Sequence, residues 1–225
     1  QFMDTSEIDS IVESSKALKI DLIRIYIHEE KGEFETCIDI YLHSPGCDKQ
    51  DIFPWLRNLA KKNKVEDENV DKIKKEILRV IKELVMANSI RTGEVIDTWL
   101  PNQQREVISK LSSNSELQLK YLQDFLKERE NEIRDIIMSA GKRSKTNSEV
   151  QDYRNFLAMH VKLLAEQDSP ELKTVVMKDY YPMDSLDEVE DDSLIIKEAK
   201  AYLKKRSEMY SDSLRIFLHL MEQLS

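Results

Sequence analysis

A chain of 225 residues is long enough for one large domain or two small ones, and 40% apolar with 34% charged residues supplies a core together with a wet exterior. Only 4 Gly and 5 Pro argue against a sheet with many turns, so the composition is that of a helical protein. A net charge of -9 and a pI of about 5.1 repel phosphate backbones, which argues against nucleic acid and against direct contact with an anionic membrane.

Two cysteines, Cys37 and Cys47, cannot build a disulfide framework, and no apolar run approaches 18 residues. Together with the lack of a signal peptide pattern, this reads as a cytosolic chain. The first residues, QFMDTSEIDS, carry no Met at position 1, and we expect a segment of a longer protein.

In chain order, Asp4, Thr5 and Ser6 are N-cap residues ahead of Ile8, Ile11 and Val12, which predicts a first helix. From Lys19 to Glu30, Ile20, Leu22, Ile23, Tyr26 and Ile27 recur at roughly helical spacing, and Gly32 ends the element. Glu33 to His43 forms a second arm, stopped by Ser44, Pro45 and Gly46. The next helix starts at Asp51, tolerates Pro54 in its first turn, and turns Phe53, Trp55, Leu56 and Leu59 inward. Lys61 to Asn69 is a charged connector. A helix from Val70 to Asn88 follows, with Ile73, Ile77, Val80, Ile81, Leu84 and Val85 three and four apart.

Pro101 to Leu111, Glu116 to Ile137 and Glu149 to Glu166 give three further helical stretches. Two polar stretches, 141–148 and 184–192, read as mobile loops; the second is acidic and includes a short helical piece before a final hairpin.

Two internal echoes organise this series. Arg24 to His43 returns as Lys200 to His219 without gaps: Tyr26 meets Tyr202, Phe34 meets Tyr210, Ile38 meets Leu214 and Tyr41 meets Phe217. Leu84 to Ile96 is matched eighty positions later by Leu164 to Val176, with Asn88 and Ser89 over Asp168 and Ser169. A lone helical hairpin cannot bury its apolar stripe, so repeated hairpins must stack to make a core. The expected fold is therefore all-α, an α-solenoid of stacked helical hairpins running as one continuous body over residues 1–225.

Motifs for catalysis and ligands are missing: the sequence has no HExxH, GxGxxG, GxxxxGK[ST], GxSxG or CxxC pair. Cys37, His43 and Cys47 come nearest to a metal set, but their spacing fits no standard zinc pattern, and a buried structural Cys37 with a loop Cys47 is the ordinary reading. His28, His43, His160 and His219 are scattered and read as surface or packing residues. Trp55 and Trp99 are either interface anchors or packing between neighbouring helices. The acidic run Asp184 to Asp192 either docks a basic partner or is a solvated surface, and Lys142, Arg143 and Lys145 either touch acidic protein or lipid headgroups or are solvated. We expect no enzyme, no catalytic or metal residue and no cofactor.

Phe34 to Leu42 leading into Ile52 to Leu56, then Glu83 to Val85, Glu94 to Asp97, Val107 to Leu111 and Leu117 to Leu122, resembles the clathrin heavy-chain type repeats of vacuolar sorting subunits. Ala199 to Gln223 is similar to a later hairpin of that series, and the similarity covers most of residues 20–225. The resemblance implies a scaffold segment of a membrane-tethering complex of the CORVET type, acting in early endosome fusion with a Rab5-type GTPase and a class C core shared with HOPS. Members of that family carry a β-propeller and a RING element. Neither pattern occurs in these residues, so Rab binding and RING functions are expected elsewhere. A solenoid from another trafficking scaffold, HOPS-specific, coat or ciliary transport, is the alternative.

Overall fold

The computed structural model describes residues 9, 13, 20–61, 67–140, 148–187, 189, 193–207 and 216. Among the described residues there are eleven α-helices and no strand. They are α1 (Asp21–Glu30), α2 (Phe34–His43), α3 (Ile52–Lys61), α4 (Asp67–Arg79), α5 (Ile81–Trp99) and α6 (Gln104–Leu111), then α7 (Ser115–Glu128), α8 (Glu130–Ala140), α9 (Ser148–Glu166), α10 (Glu171–Val176) and α11 (Leu194–Arg206). The chain divides into two compact units, one ending at Leu117 and one beginning at Gln118.

In the first unit, α1 and α2 form a hairpin whose turn needs a positive φ, and Gly32 supplies it at +72°. Helix α2 packs on α3 and α4, α3 packs on α5, and α5 on both α4 and α6. Cys37, Ile38, Leu42, Ile52, Leu56, Ile73, Ile77, Leu84 and Val85 have essentially no exposed surface, which makes them the centre of this core. Tyr41 and Trp55 add a tilted ring pair at 5.3 Å.

The stripe expected from Val70 to Asn88 is buried, but the helix is bent. Val80 leaves helical geometry at φ -97° and ψ 13° and separates α4 from α5. Arg79, just before the bend, is held by Glu76 at 2.5 Å and reaches Asp39 on α2 at 2.7 Å. The bend keeps Ile77, Val80, Ile81 and Leu84 all facing the core. Further on, Asn88 is extended at φ -165° and ψ 107°, so α5 is two helical segments. Its side-chain oxygen accepts from the Arg91 N–H at 3.0 Å, the signature of a new N-terminus, and Gln50 donates to the Ala87 carbonyl at 2.7 Å, one of the groups the break releases.

In the second unit, α8 packs on α9, α9 on α10 and α10 on α11. Helix α7 joins α9 through Phe125, whose ring meets Phe156 edge-on at 5.8 Å. The single helix expected from Glu116 to Ile137 is broken at Arg129, where neither Gly nor Pro marks the sequence. The Arg129 guanidinium instead covers the Phe125 ring at 4.4 Å. The second echo is visible as a shared event: α9 ends, Asp168 turns at φ +47°, and α10 begins after Ser169.

Other expectations meet the structure only in part. Asp67 to Asn69, read as connector, belong to α4, and 62–66 lie outside the described residues. Of the predicted first helix, Asp9 and Glu13 are described, and both are helical. The loop at 141–147, and 188 and 190–192 of the acidic run, are outside as well, while Asp184 to Asp187 form a turn. The final hairpin's first arm is α11, which begins earlier than Lys200; of the second arm only helical Ile216 is described. On α1 the inward residue is Ile25, and Leu22, Ile23 and Tyr26 are exposed, contrary to the stripe read from spacing. That reading admitted residues on both sides of the helix, and the turn at Gly32 fixes which side meets α2.

Candidate functional site

Each residue singled out above has a definite place. Cys37 is fully buried, lies 3.5 Å from the Ile25 carbonyl to which it donates, and burial pushes its thiol up to about 12. Cys47 is half-buried, and neither cysteine is in a disulfide. His43 points to α5, with its Nε2 2.8 Å from Glu83, so it does not join the two cysteines. Among the described residues no group of three or more His, Cys, Asp or Glu is arranged to hold a metal ion. His28 pairs with Glu33 at 2.5 Å across the α1–α2 turn. His219, Lys142, Arg143 and Lys145 lie outside the described residues.

Both tryptophans are built into the first unit. The Trp55 indole donates to Glu29 of α1 at 2.8 Å, and the Trp99 indole donates to the Leu56 carbonyl at 3.2 Å. Each tethers one hairpin to the next through a side-chain bond that its buried ring protects from water.

The chemistry that spacing alone did not reveal lies on the second unit, along the two faces of α9. The inner face carries His160, which is 5% exposed and has its Nδ1 3.0 Å from the Tyr181 hydroxyl. Its Nε2 has no hydrogen-bond partner among the described residues. Burial, and after it the nearby Lys178 charge, together lower the imidazole to about 4. Tyr181 packs against Tyr180 with the rings tilted and 5.1 Å apart, and the Tyr180 hydroxyl donates to Glu130 at 2.9 Å. Lys178 donates to the same carboxylate oxygen at 2.6 Å and holds Glu130 below its ordinary range. Arg206 closes the assembly: one nitrogen donates to the Val176 and Lys178 carbonyls at 2.9 and 2.8 Å, and the other to the Tyr181 carbonyl. These bonds cap the end of α10 and fix the turn after it.

The outer face of α9 borders a groove of about 690 Å³ whose other wall is the turn Asp184 to Asp187 with Val189. That turn is anchored by buried Leu186, by Ser185 donating to the Pro182 carbonyl at 2.9 Å, and by Lys200 donating to the Val189 carbonyl. It is the first part of the acidic run, and the fold sets it opposite a helix. Nothing in the spacing of Asn155 to Glu166 distinguishes a groove wall from an ordinary wet helix face. Only the turn, placed by Arg206 and Lys200, makes it one.

No described helix is long and apolar enough to cross a membrane. No family model, no curated protein and no solved structure matches the chain.

Proposed function

We propose that the chain is a segment of α-solenoid serving as a non-catalytic scaffold in a subunit of an endosomal membrane-tethering complex of the CORVET type. The subunit whose later hairpins these residues most resemble is vacuolar protein sorting-associated protein eight. The segment works as a helical spacer and protein-protein interaction rod in vesicle fusion and trafficking. It holds a membrane-recognition end of the parent apart from a complex-assembly end. Its partners are the other tethering subunits of the class C core. A Rab5-type GTPase is met through parts of the parent outside these residues, and the membrane association is peripheral, on endosomes and through the complex.

The observation that carries the rod is the packing order of the first unit, where α2 meets α3 and α4, and α3 meets α5. Contacts between sequence neighbours and next neighbours are what stacked hairpins produce. The residue-level resemblance of 20–225 carries the assignment to tethering. Hairpins that bury a continuous core while leaving charged outer faces suit a part that spans distance and presents a surface, and the -9 charge suits protein partners over lipid or nucleic acid.

Tagging the parent protein in its own cells and identifying its stoichiometric partners by mass spectrometry tests this directly. The class C core recovered with a Rab5-type GTPase is the expected result. The core with HOPS-specific partners moves the chain to the late-endosome branch, and coat or ciliary transport subunits move it to another scaffold. Absence of all of these sinks the trafficking reading and leaves the helical architecture untouched.

A further inference from the structure

The groove on the outer face of α9 has a floor and a rim of different chemistry. Ala158 and Met159 from the helix and Val189 from the turn supply apolar atoms at its base. Glu166, Asp184 and Asp187 stand around it with a single lysine, Lys162. Among the described residues none of the three carboxylates has an ion-pair partner or a side-chain hydrogen bond. Glu130, Asp179 and Glu198, elsewhere on the second unit, are by contrast paired with Lys178, Arg134 and Lys173. Met183, half-exposed, stands immediately before Asp184, and the Met159 sulfur accepts from the Gln118 amide at 3.7 Å, which sets its side chain in place. Thioethers of this kind adapt to varied apolar side chains.

A volume of about 690 Å³ fits a few residues of peptide and is too small for a folded surface. An apolar base selects an apolar side chain, and three uncompensated carboxylates against one lysine select cations beside it. We infer that this groove docks a short basic segment of a partner protein, with a lysine or arginine on the Glu166, Asp184 and Asp187 rim and an apolar side chain over Ala158 and Met159. The anchored turn presents the rim in one geometry, so little ordering accompanies binding. The inference is independent of which assembly the chain serves, because it uses only the two walls of the groove.

The test is fluorescence anisotropy of a labelled lysine–leucine peptide titrated with the intact chain, beside its glutamate–leucine counterpart. The lysine peptide binds and the glutamate peptide does not, and raising the salt weakens the complex. Neutralising the rim together, Glu166→Gln, Asp184→Asn and Asp187→Asn, weakens binding by about tenfold, as expected for losing three exposed charge pairs. Filling the floor with Ala158→Phe weakens it comparably without changing charge. An equal neutralisation of exposed carboxylates that do not line the groove, Glu35→Gln, Glu106→Gln and Glu132→Gln, leaves it within about twofold. Circular dichroism confirms that each variant is folded. No binding of the lysine peptide overturns the inference. So does a control set as damaging as the rim set, which reports attraction to net charge alone, or an Ala158→Phe variant that binds as the parent does.

Discussion

The Nδ1 of His160 and the hydroxyl of Tyr181 lie 3.0 Å apart in a buried pocket between α9 and the turn that follows α10. Among the described residues the ring's other nitrogen has no hydrogen-bond partner, so a proton added there is taken up in low dielectric without compensation.

Acid therefore weakens the second unit through this ring. The folded value lies at about 4 and the unfolded value near the ordinary 6.5. Above about pH 6.5 neither state holds the extra proton and the ring has no effect. Between about 6.5 and 4 the unfolded chain binds a proton that the folded chain refuses, so stability falls as the pH drops, by about 2 to 3 kcal/mol at pH 4.5. Urea unfolding at pH 7 and 4.5 should show a smaller loss for His160→Gln than for the parent. Equal losses would assign the acid sensitivity to the carboxylates.

The tryptophan tether in the first unit should be measurable in the same way. Trp99→Phe keeps most of the ring but removes the indole donor from the Leu56 carbonyl, which retains only its bond within the helix, at a cost of about 1 kcal/mol. Tyr41→Ala removes a ring that is 7% exposed and packed on Trp55, and should cost about 3 to 5 kcal/mol. Denaturation midpoints unchanged in Tyr41→Ala would show that its site is not part of the cooperative core.

Two glycines should respond in opposite directions. Gly32 sits at φ +72°, and although an added Cβ meets nothing closer than the Asn69 amide at 3.7 Å, Gly32→Ala should lose about 1 kcal/mol from the backbone alone. Gly93 lies inside helical α5, and apart from its chain neighbours and the backbone of its own helix no atom lies within 4 Å of where its Cβ would be. Gly93→Ala should gain about 0.5 to 1 kcal/mol, read as a higher midpoint in thermal unfolding.

Asn88→Ala removes the cap on the second half of α5 and should cost about 1 kcal/mol, with Asn88→Asp retaining most of it. An alanine variant as stable as the parent would mean that Gln50, and not the cap, holds the break.

The two thiols should differ sharply toward an aromatic disulfide reagent. Cys47 is half-buried and reacts in the native protein, whereas Cys37, with no exposed surface and a thiol pushed up to about 12, reacts only on unfolding. Cys47→Ser should abolish the fast phase; fast labelling that survives in that variant would show that α2 opens readily.

How much of this was legible depends on which force decided each feature. The stripe of Ile73, Ile77, Leu84 and Val85 and the stop at Gly32 follow from local periodicity and glycine chemistry, and both stand in the structure. The bends at Val80 and Arg129 carry no such mark, since neither Gly nor Pro stands there, and the Asp39 that holds Arg79 beside the first lies 40 positions away in sequence. Tyr26 seemed equivalent to Tyr202 by alignment, yet it is 64% exposed, since periodicity fixes a helix but not which side finds a neighbour. The groove was invisible for the same reason: its walls, α9 and the turn at Asp184, are separated in sequence by α10, and Arg206 positions that turn from further along the chain. His160 was read as a packing residue, and packing is what the Tyr181 contact makes of it.

Helices that pack on their successors and next neighbours also govern how the molecule comes into being. The hydrogen bond from Tyr180 to Glu130 spans 50 positions and that from Trp99 to Leu56 spans 43, so these pairings close modest lengths of chain. Such a topology favours rapid folding. During synthesis the hairpin of α1 and α2 can collapse before α4 has left the ribosome, and the first unit can be complete while the residues beyond Leu117 are still being translated.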